Sequence, residues 1–335
     1  MLTRYLFRAT FAAVAALLLG ACSDDETTGP ETSETKNVAF VELEGSRPAF
    51  YIQNASGTER TRIHFTGSID EVPGNWPQVP PVTDATVLTI RSAKWSPDGS
   101  RIAFVATVAA DQAEVVVMKA DGSDVRIVSP NYAYVVGDVD WSPDGTRVAY
   151  VMATQPALRG LELFVSDVVG APRVTQVTRN SGYRGLGGTI RFADNGSSVW
   201  ISQVTGEGGA PLFESIGAIR RVDLATGAIT SVRENIVGEV QAIARSGAYA
   251  LVLRHKAFVN GVYDNQLVRI PVGGAGTEQV LIDGGRLDYA RLTTNDNRVL
   301  LLRAGTSFST FGPFGGAEST VRGAGGEPLS VDAKS

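Results

Sequence analysis

One phrase of the sequence occurs twice, and it dictates most of what the chain can become. Trp95-Ser96-Pro97-Asp98-Gly99-Ser100-Arg101-Ile102-Ala103-Phe104-Val105 returns 46 residues later as Trp141-Ser142-Pro143-Asp144-Gly145-Thr146-Arg147-Val148-Ala149-Tyr150-Val151. Weaker copies follow at offsets of 51, 51 and 49: Phe192-Ala193-Asp194-Asn195-Gly196, Ile243-Ala244-Arg245-Ser246-Gly247, and Leu292-Thr293-Thr294-Asn295-Asp296-Asn297. A partial copy, Asn37-Val38-Ala39-Phe40-Val41, opens the series without its preceding turn. Six units at a period of about 50 residues indicate stacked supersecondary units, each too small to bury its own apolar face.

Each unit carries the chemistry of strand and turn. Proline presets φ for the first central turn position, aspartate can bond its own backbone and glycine tolerates positive φ, so Ser-Pro-Asp-Gly reverses the chain. Arg101 to Val108 and Arg147 to Met152 follow, rich in β-branched and aromatic residues. A further run, Val115 to Met118, ends at the hairpin signal Asp121-Gly122, and Val125 to Val128 completes the unit. Leu163 to Val165 with Val174 to Val177, and Leu267 to Ile270 with Gln279 to Ile282, are the counterparts. Both strand faces are apolar, as expected of sheets packed between two neighbours.

Four short strands in each of six units predict an all-β, six-bladed β-propeller of four-stranded antiparallel blades. The Trp-Ser-Pro-Asp-Gly phrase resembles the repeat of the TolB-type propellers, and the resemblance covers residues 37 to 335. TolB itself is implied to carry an α/β domain before its propeller; here an acidic tether and a cysteine stand in that place, so TolB's own partners do not transfer. Unit one lacks an inner strand, so either Pro328 to Val331 or the end of the tether is expected to lie beside it.

Residues 1 to 21 place Arg4 and Arg8 before the apolar run Phe11 to Leu19, the layout of a signal peptide. The run is too short for the ~20 residues of a spanning helix. It ends in Leu19-Gly20-Ala21-Cys22, which resembles the lipobox of bacterial lipoproteins. The resemblance implies cleavage before Cys22 and lipid attachment to its sulfur, an anchor of more than one acyl chain. Cys22 is the only cysteine in the chain. Residues 22 to 36 then form an acidic tether, and residues 37 to 335 one propeller domain, expected to be monomeric. Ser23 stands where the well-studied inner-membrane retention signal places aspartate, which directs the expectation to the outer membrane, facing the periplasm.

The remaining chemistry is sparse. The chain has 30 Lys plus Arg against 35 Asp plus Glu, and loss of Arg4 and Arg8 takes the net charge from −5 to −7, so no nucleic-acid partner is expected. No Gly-x-Ser-x-Gly, His-Glu-x-x-His or phosphate-loop motif occurs. Two histidines and one cysteine exclude a four-ligand Cys/His zinc site. His64 and His255 lie at strand ends and read as rim or packing residues. Asp138, Asp140 and Asp144 lack calcium-loop spacing. No catalytic residue, metal or cofactor is expected. Insertions at 66–85, 179–188 and 305–316 are the places for a binding loop, or else surface connections whose aromatics fold back on the blades.

Strand alternation singles out one register. The residue before each motif's first apolar position is Lys94, Asp140, Arg191, Ala242 and Arg291, on the strand that in TolB-type propellers is innermost. Lys94, Asp140, Arg191 and Arg291 are therefore the candidate channel residues, with a local charge of +2. Two readings stand: the channel end attracts a small anion or a partner's carboxylate, or Asp140 pairs with a neighbouring lysine or arginine and the rest are solvated. Two function classes likewise stand. One is a lipid-anchored cell-envelope module that binds or scaffolds protein, glycan or peptidoglycan without catalysis. The other is an envelope glycosidase or lyase using channel-mouth carboxylates.

Overall fold

Strand–turn–strand repetition governs the described part of the chain in the computed structural model, which describes residues 38–54, 59–65, 82–109, 112–130, 135–154, 160–170, 173–179, 188–207, 215–273, 276–303, 307–316, 319–321 and 330–333. The signal segment, Cys22 and the tether lie outside the described residues, as does most of the 66–85 and 179–188 insertions.

In chain order the strands are β1 (Val38–Glu44), β2 (Arg47–Gln53) and β3 (Arg60–Ile63), then β4 (Thr89–Trp95), β5 (Arg101–Ala109), β6 (Gln112–Lys119) and β7 (Arg126–Ile127). The third unit holds β8 (Val135–Trp141), β9 (Arg147–Thr154), β10 (Gly160–Asp167) and β11 (Val174–Gln176). The fourth holds β12 (Ile190–Phe192), β13 (Ser198–Glu207), β14 (Ser215–Asp223) and β15 (Ile229–Val237). The fifth holds β16 (Glu239–Ile243), β17 (Tyr249–Val259), β18 (Val262–Pro271) and β19 (Gln279–Asp283). Last come β20 (Leu287–Leu292), β21 (Val299–Arg303), β22 (Ser307–Phe311), β23 (Ser319–Val321) and β24 (Ser330–Ala333).

The expectation of a six-bladed propeller of four-stranded antiparallel blades requires correction. Five blades are drawn from four consecutive strands each: β4–β7, β8–β11, β12–β15, β16–β19 and β20–β23. The remaining four-stranded sheet is not a sixth unit of that kind, because the first unit supplies only β1 to β3 and β24 from the C-terminal end completes it in the order β24-β1-β2-β3. The physical reason is the missing turn before Val38. With no strand before it among the described residues, β1 would expose a row of unpaired backbone groups, and β24 covers them antiparallel, Val38 opposite Ala333 and Val41 opposite Ser330.

Each motif turn is held the same way. Ser96 N donates to Arg101 O at 2.9 Å and Gly99 N to Ser96 O at 2.8 Å, and the Ser142 turn repeats both bonds at 2.9 Å. Asp98 accepts from Ser96 Oγ at 2.6 Å and Ser100 N at 3.0 Å. Burial opposes its charge, but these hydrogen bonds outweigh burial and hold the carboxyl below its ordinary value. In the weak fifth-blade copy Gly247 is retained for two reasons: its φ is +68°, and a Cβ there would meet Trp200 at 2.2 Å.

Apolar residues fill the gaps between sheets. Trp141 is fully buried in a cluster with Val139, Tyr150 and Phe164, facing Ala103, Val105 and Val117 of the preceding blade. Its Nε1 also donates to Lys94 O at 3.0 Å, tying the inner strands β8 and β4 together. Tyr150 donates or accepts at Ser166 Oγ, 2.8 Å away, and burial pushes its phenol far above the ordinary value.

Candidate functional site

The inner strands carry the site, and bulges aim its side chains. Register slips occur between Arg91 and Lys94 in β4 and between Val136 and Val139 in β8, with Ser92 at φ 55° and Gly137 at φ 86°. Such bulges bend a strand and redirect a side chain without ending the sheet. Ser92 Oγ thereby reaches Asp138 Oδ1 at 2.5 Å.

Around Asp138 gather Lys94 Nζ at 3.7 Å from Oδ2 and Arg291 Nη1 at 3.2 Å from Oδ1. Arg291 belongs to β20 and Asp138 to β8, three sheets away, so this contact crosses the propeller axis. Burial pushes the Asp138 carboxyl up, but Lys94, Arg291 and the Ser92 hydroxyl together hold it below its ordinary value of 3.8.

Closer to the motif turns, Asp140 is 1% exposed. Its Oδ1 accepts from Arg191 Nη1 at 3.2 Å, and its Oδ2 accepts from Phe192 N at 2.8 Å with Arg245 Nη1 at 3.4 Å. Arg191 continues to Thr293 O and Thr294 O, both at 3.0 Å, and to the Asp296 carboxylate. Arg245 Nη1 donates to Trp141 O at 2.9 Å, and its backbone N to Asp296 Oδ2 at 2.7 Å. Burial works against the Arg245 charge, with Arg191 adding to that effect and Asp140 and Asp296 opposing it; the net shift is downward. Burial and the Asp296 charge raise the nearby Tyr249 phenol to about 12.

The four sequence candidates thus form two linked groups, Lys94 with Arg291 around Asp138 and Arg191 with Asp140. Lys94, Asp140 and Arg191 are buried, and Arg291 is partly so. Sequence reasoning did not select Arg245, Asp296 or Ser92, and it set Asp138 aside. Including them gives four cations against three carboxylates among the described residues, a local +1.

Two of the missed residues carried a signal, a departure from the repeat. Arg245 occupies the position of Pro97 and Pro143, and Asp296 that of Gly99 and Gly145. The turn itself survives, since Asp296 N donates to Thr293 O at 2.9 Å and Asp296 keeps a glycine-like φ of 60°. Aspartate is among the few residues that tolerate this region. In exchange its carboxylate bonds two arginines.

The histidines lie elsewhere. His64 Nδ1 is 2.8 Å from Asp84 Oδ2 on an exposed rim, and His255 stacks on Tyr263 with ring centroids 3.8 Å apart. Among the described residues, no group of three or more His, Cys, Asp or Glu is arranged to hold a metal.

No family model matches the chain, and no curated protein matches it. Solved structures do resemble it. TolB from Acinetobacter baumannii superposes with a TM-score of 0.60 at 14% identity, covering 89% of this chain but only 66% of the TolB chain. A chain of the nidogen/laminin complex superposes with a TM-score of 0.58 at 7% identity, covering 90% of this chain and 98% of that one. At such identities the likeness is one of fold: this chain is a TolB-like β-propeller in architecture.

Proposed function

We propose that this chain is a lipid-anchored cell-envelope propeller that binds or scaffolds protein, glycan or peptidoglycan without catalysing a reaction. Cys22 carries the anchor, the acidic residues 22–36 hold the domain off the bilayer, and the destination is the outer membrane facing the periplasm. The Leu19-Gly20-Ala21-Cys22 sequence and the TolB-like fold support this reading.

The observation that carries the non-catalytic part is Asp140. A propeller glycosidase needs a carboxyl free to act as acid, base or nucleophile, and one of its pair is held above its ordinary value. Asp140 instead has both oxygens engaged by two arginines and an amide, and Asp138 is held low between Lys94 and Arg291. These acids act as counter-ions.

The test incubates the purified full chain with peptidoglycan and with neutral and acidic polysaccharides, scoring co-sedimentation and release of reducing or unsaturated ends. Retention without product supports the binding reading. Product release that disappears in Asp140→Asn would establish the enzyme instead.

A further inference from the structure

The two linked groups at the axis differ in charge. Around Asp140, the cations Arg191 and Arg245 meet the carboxylates of Asp140 and Asp296, and among the described residues these charges balance. Around Asp138 stand Lys94 and Arg291, two cations on one carboxylate, so the whole surplus of +1 lies at this level. The fifth blade adds no charge at the shared register, since its residue there is Ala242. Arg291, 24% exposed, is the most accessible of these charged side chains, so solvent reaches the Asp138 level.

Lys94 is the member left unsatisfied. Asp138 Oδ1 accepts from Ser92 Oγ at 2.5 Å and from Val139 N at 3.1 Å, and Arg291 Nη1 lies 3.2 Å from both carboxylate oxygens. Lys94 Nζ stands off at 3.7 Å from Oδ2, beyond hydrogen-bond distance, and its three N–H groups have no acceptor among the described residues. The side chain is only 8% exposed, so most of its hydration is gone, yet the ammonium is not sealed from solvent. An ammonium so desolvated, with one shared carboxylate beside it, calls for a further acceptor that carries charge.

The backbone brings the two cations to one place. Inner strands β4, β8, β16 and β20 all slip register at or just before this level, which bends each strand and re-aims its side chains. In β4 the slip holds Ser92 at a left-handed φ of 55°, a conformation of the strained kind that collects at binding sites. Through the carboxylate they share, Lys94 Nζ and Arg291 Nη1 lie within about 7 Å of each other, a span that the two oxygens of one carboxylate bridge with a charge-assisted hydrogen bond to each.

We infer that Lys94 and Arg291 bind a small monocarboxylate at the axis, one oxygen to each, while Asp138 holds both cations in place. A neutral acceptor would offer lone pairs to Lys94 but leave the surplus charge, and a dianion would exceed that charge and be repelled by Asp138. A monocarboxylate answers both demands. With Lys94 8% and Asp138 9% exposed, the opening suits a free small acid and not a side chain of a folded partner. The site stands apart from polymer binding, so its failure would leave that reading intact.

The test titrates the full chain with sodium acetate, acetamide and sodium sulfate by calorimetry at pH 7 in low-salt buffer, comparing wild type with Lys94→Met and Arg291→Gln, each checked by a thermal melt. Arg291 is partly exposed, so Arg291→Gln keeps the test decisive should the buried Lys94→Met fail to fold. The expected result is one saturable acetate site per chain, weaker by about tenfold or more in each folded variant, with sulfate binding weaker than acetate and no saturation by acetamide. Absence of saturation by acetate in wild type, acetamide or sulfate binding as tight as acetate, or unchanged acetate binding in either folded variant would each overturn the inference.

Discussion

Arg191 and Asp296 lie 105 residues apart and meet across the propeller, joining the inner strand of the fourth sheet to the turn that ends the inner strand of the last. The bond skips the intervening fifth blade, which is tied in separately through Arg245. Together with Asp140 these groups connect four sheets at one end of the axis, where Asp140, Arg191 and Arg245 are buried and Asp296 is partly so. Breaking one partner of such a group leaves another buried and uncompensated.

Replacing Arg191 by Gln should therefore cost about 3–5 kcal/mol in equilibrium denaturation, because the side chain is almost fully buried and Asp140 and Asp296 both lose a cation. Arg291→Gln should cost only about 1 kcal/mol, since Arg291 is 24% exposed and Lys94 and Ser92 remain on Asp138. Equal effects of the two would show that Arg191 is not the anchor described.

Asp296→Gly restores the repeat's own residue and relieves its left-handed backbone. It should nevertheless destabilise by about 2 kcal/mol, because Arg191 and the Arg245 amide lose their acceptor. A gain in stability would mean that the backbone term outweighs the carboxylate.

The repeat made the strands legible because a turn sequence and β-branched runs act locally. It also made the inner register legible: alternation alone selects Lys94, Asp140, Arg191 and Arg291. What stayed hidden depends on distant partners. Pairing of Asp140 with a neighbouring cation was one of the two readings and matches its bond to Arg191, but Arg191 also reaches Thr293 and Thr294 more than 100 residues on, which no local pattern encodes. Closure of the first sheet was legible only as two alternatives, the Pro328 to Val331 segment or the tether end; β24 beside β1 is the first of them. Arg245 and Asp296 were readable only as departures from Pro and Gly at fixed repeat positions.

Acid should act through Asp138. Its folded carboxyl is held below 3.8, so the stability it contributes is complete above the unfolded value, falls as pH drops below 3.8, and is lost as pH passes through the folded value. Denaturation of wild type and Asp138→Asn should show a constant gap above about pH 5 that narrows below pH 4. A gap that does not change down to pH 3 would contradict this.

Removing residues 330–335 deletes β24 and uncovers the edge of β1. The truncated chain should unfold cooperatively at a clearly lower temperature, read by circular dichroism. A melt identical to that of the full chain would mean that β24 does not close the first sheet.

The central claim is that the acids at the axis are structural counter-ions. It is tested most directly by a double-mutant cycle between Asp140→Asn and Arg191→Gln in equilibrium denaturation. Coupling of about 2 kcal/mol or more is predicted, because the two side chains share one buried bond. Effects that add within about 0.5 kcal/mol would contradict it, and would leave Asp140 available for another role.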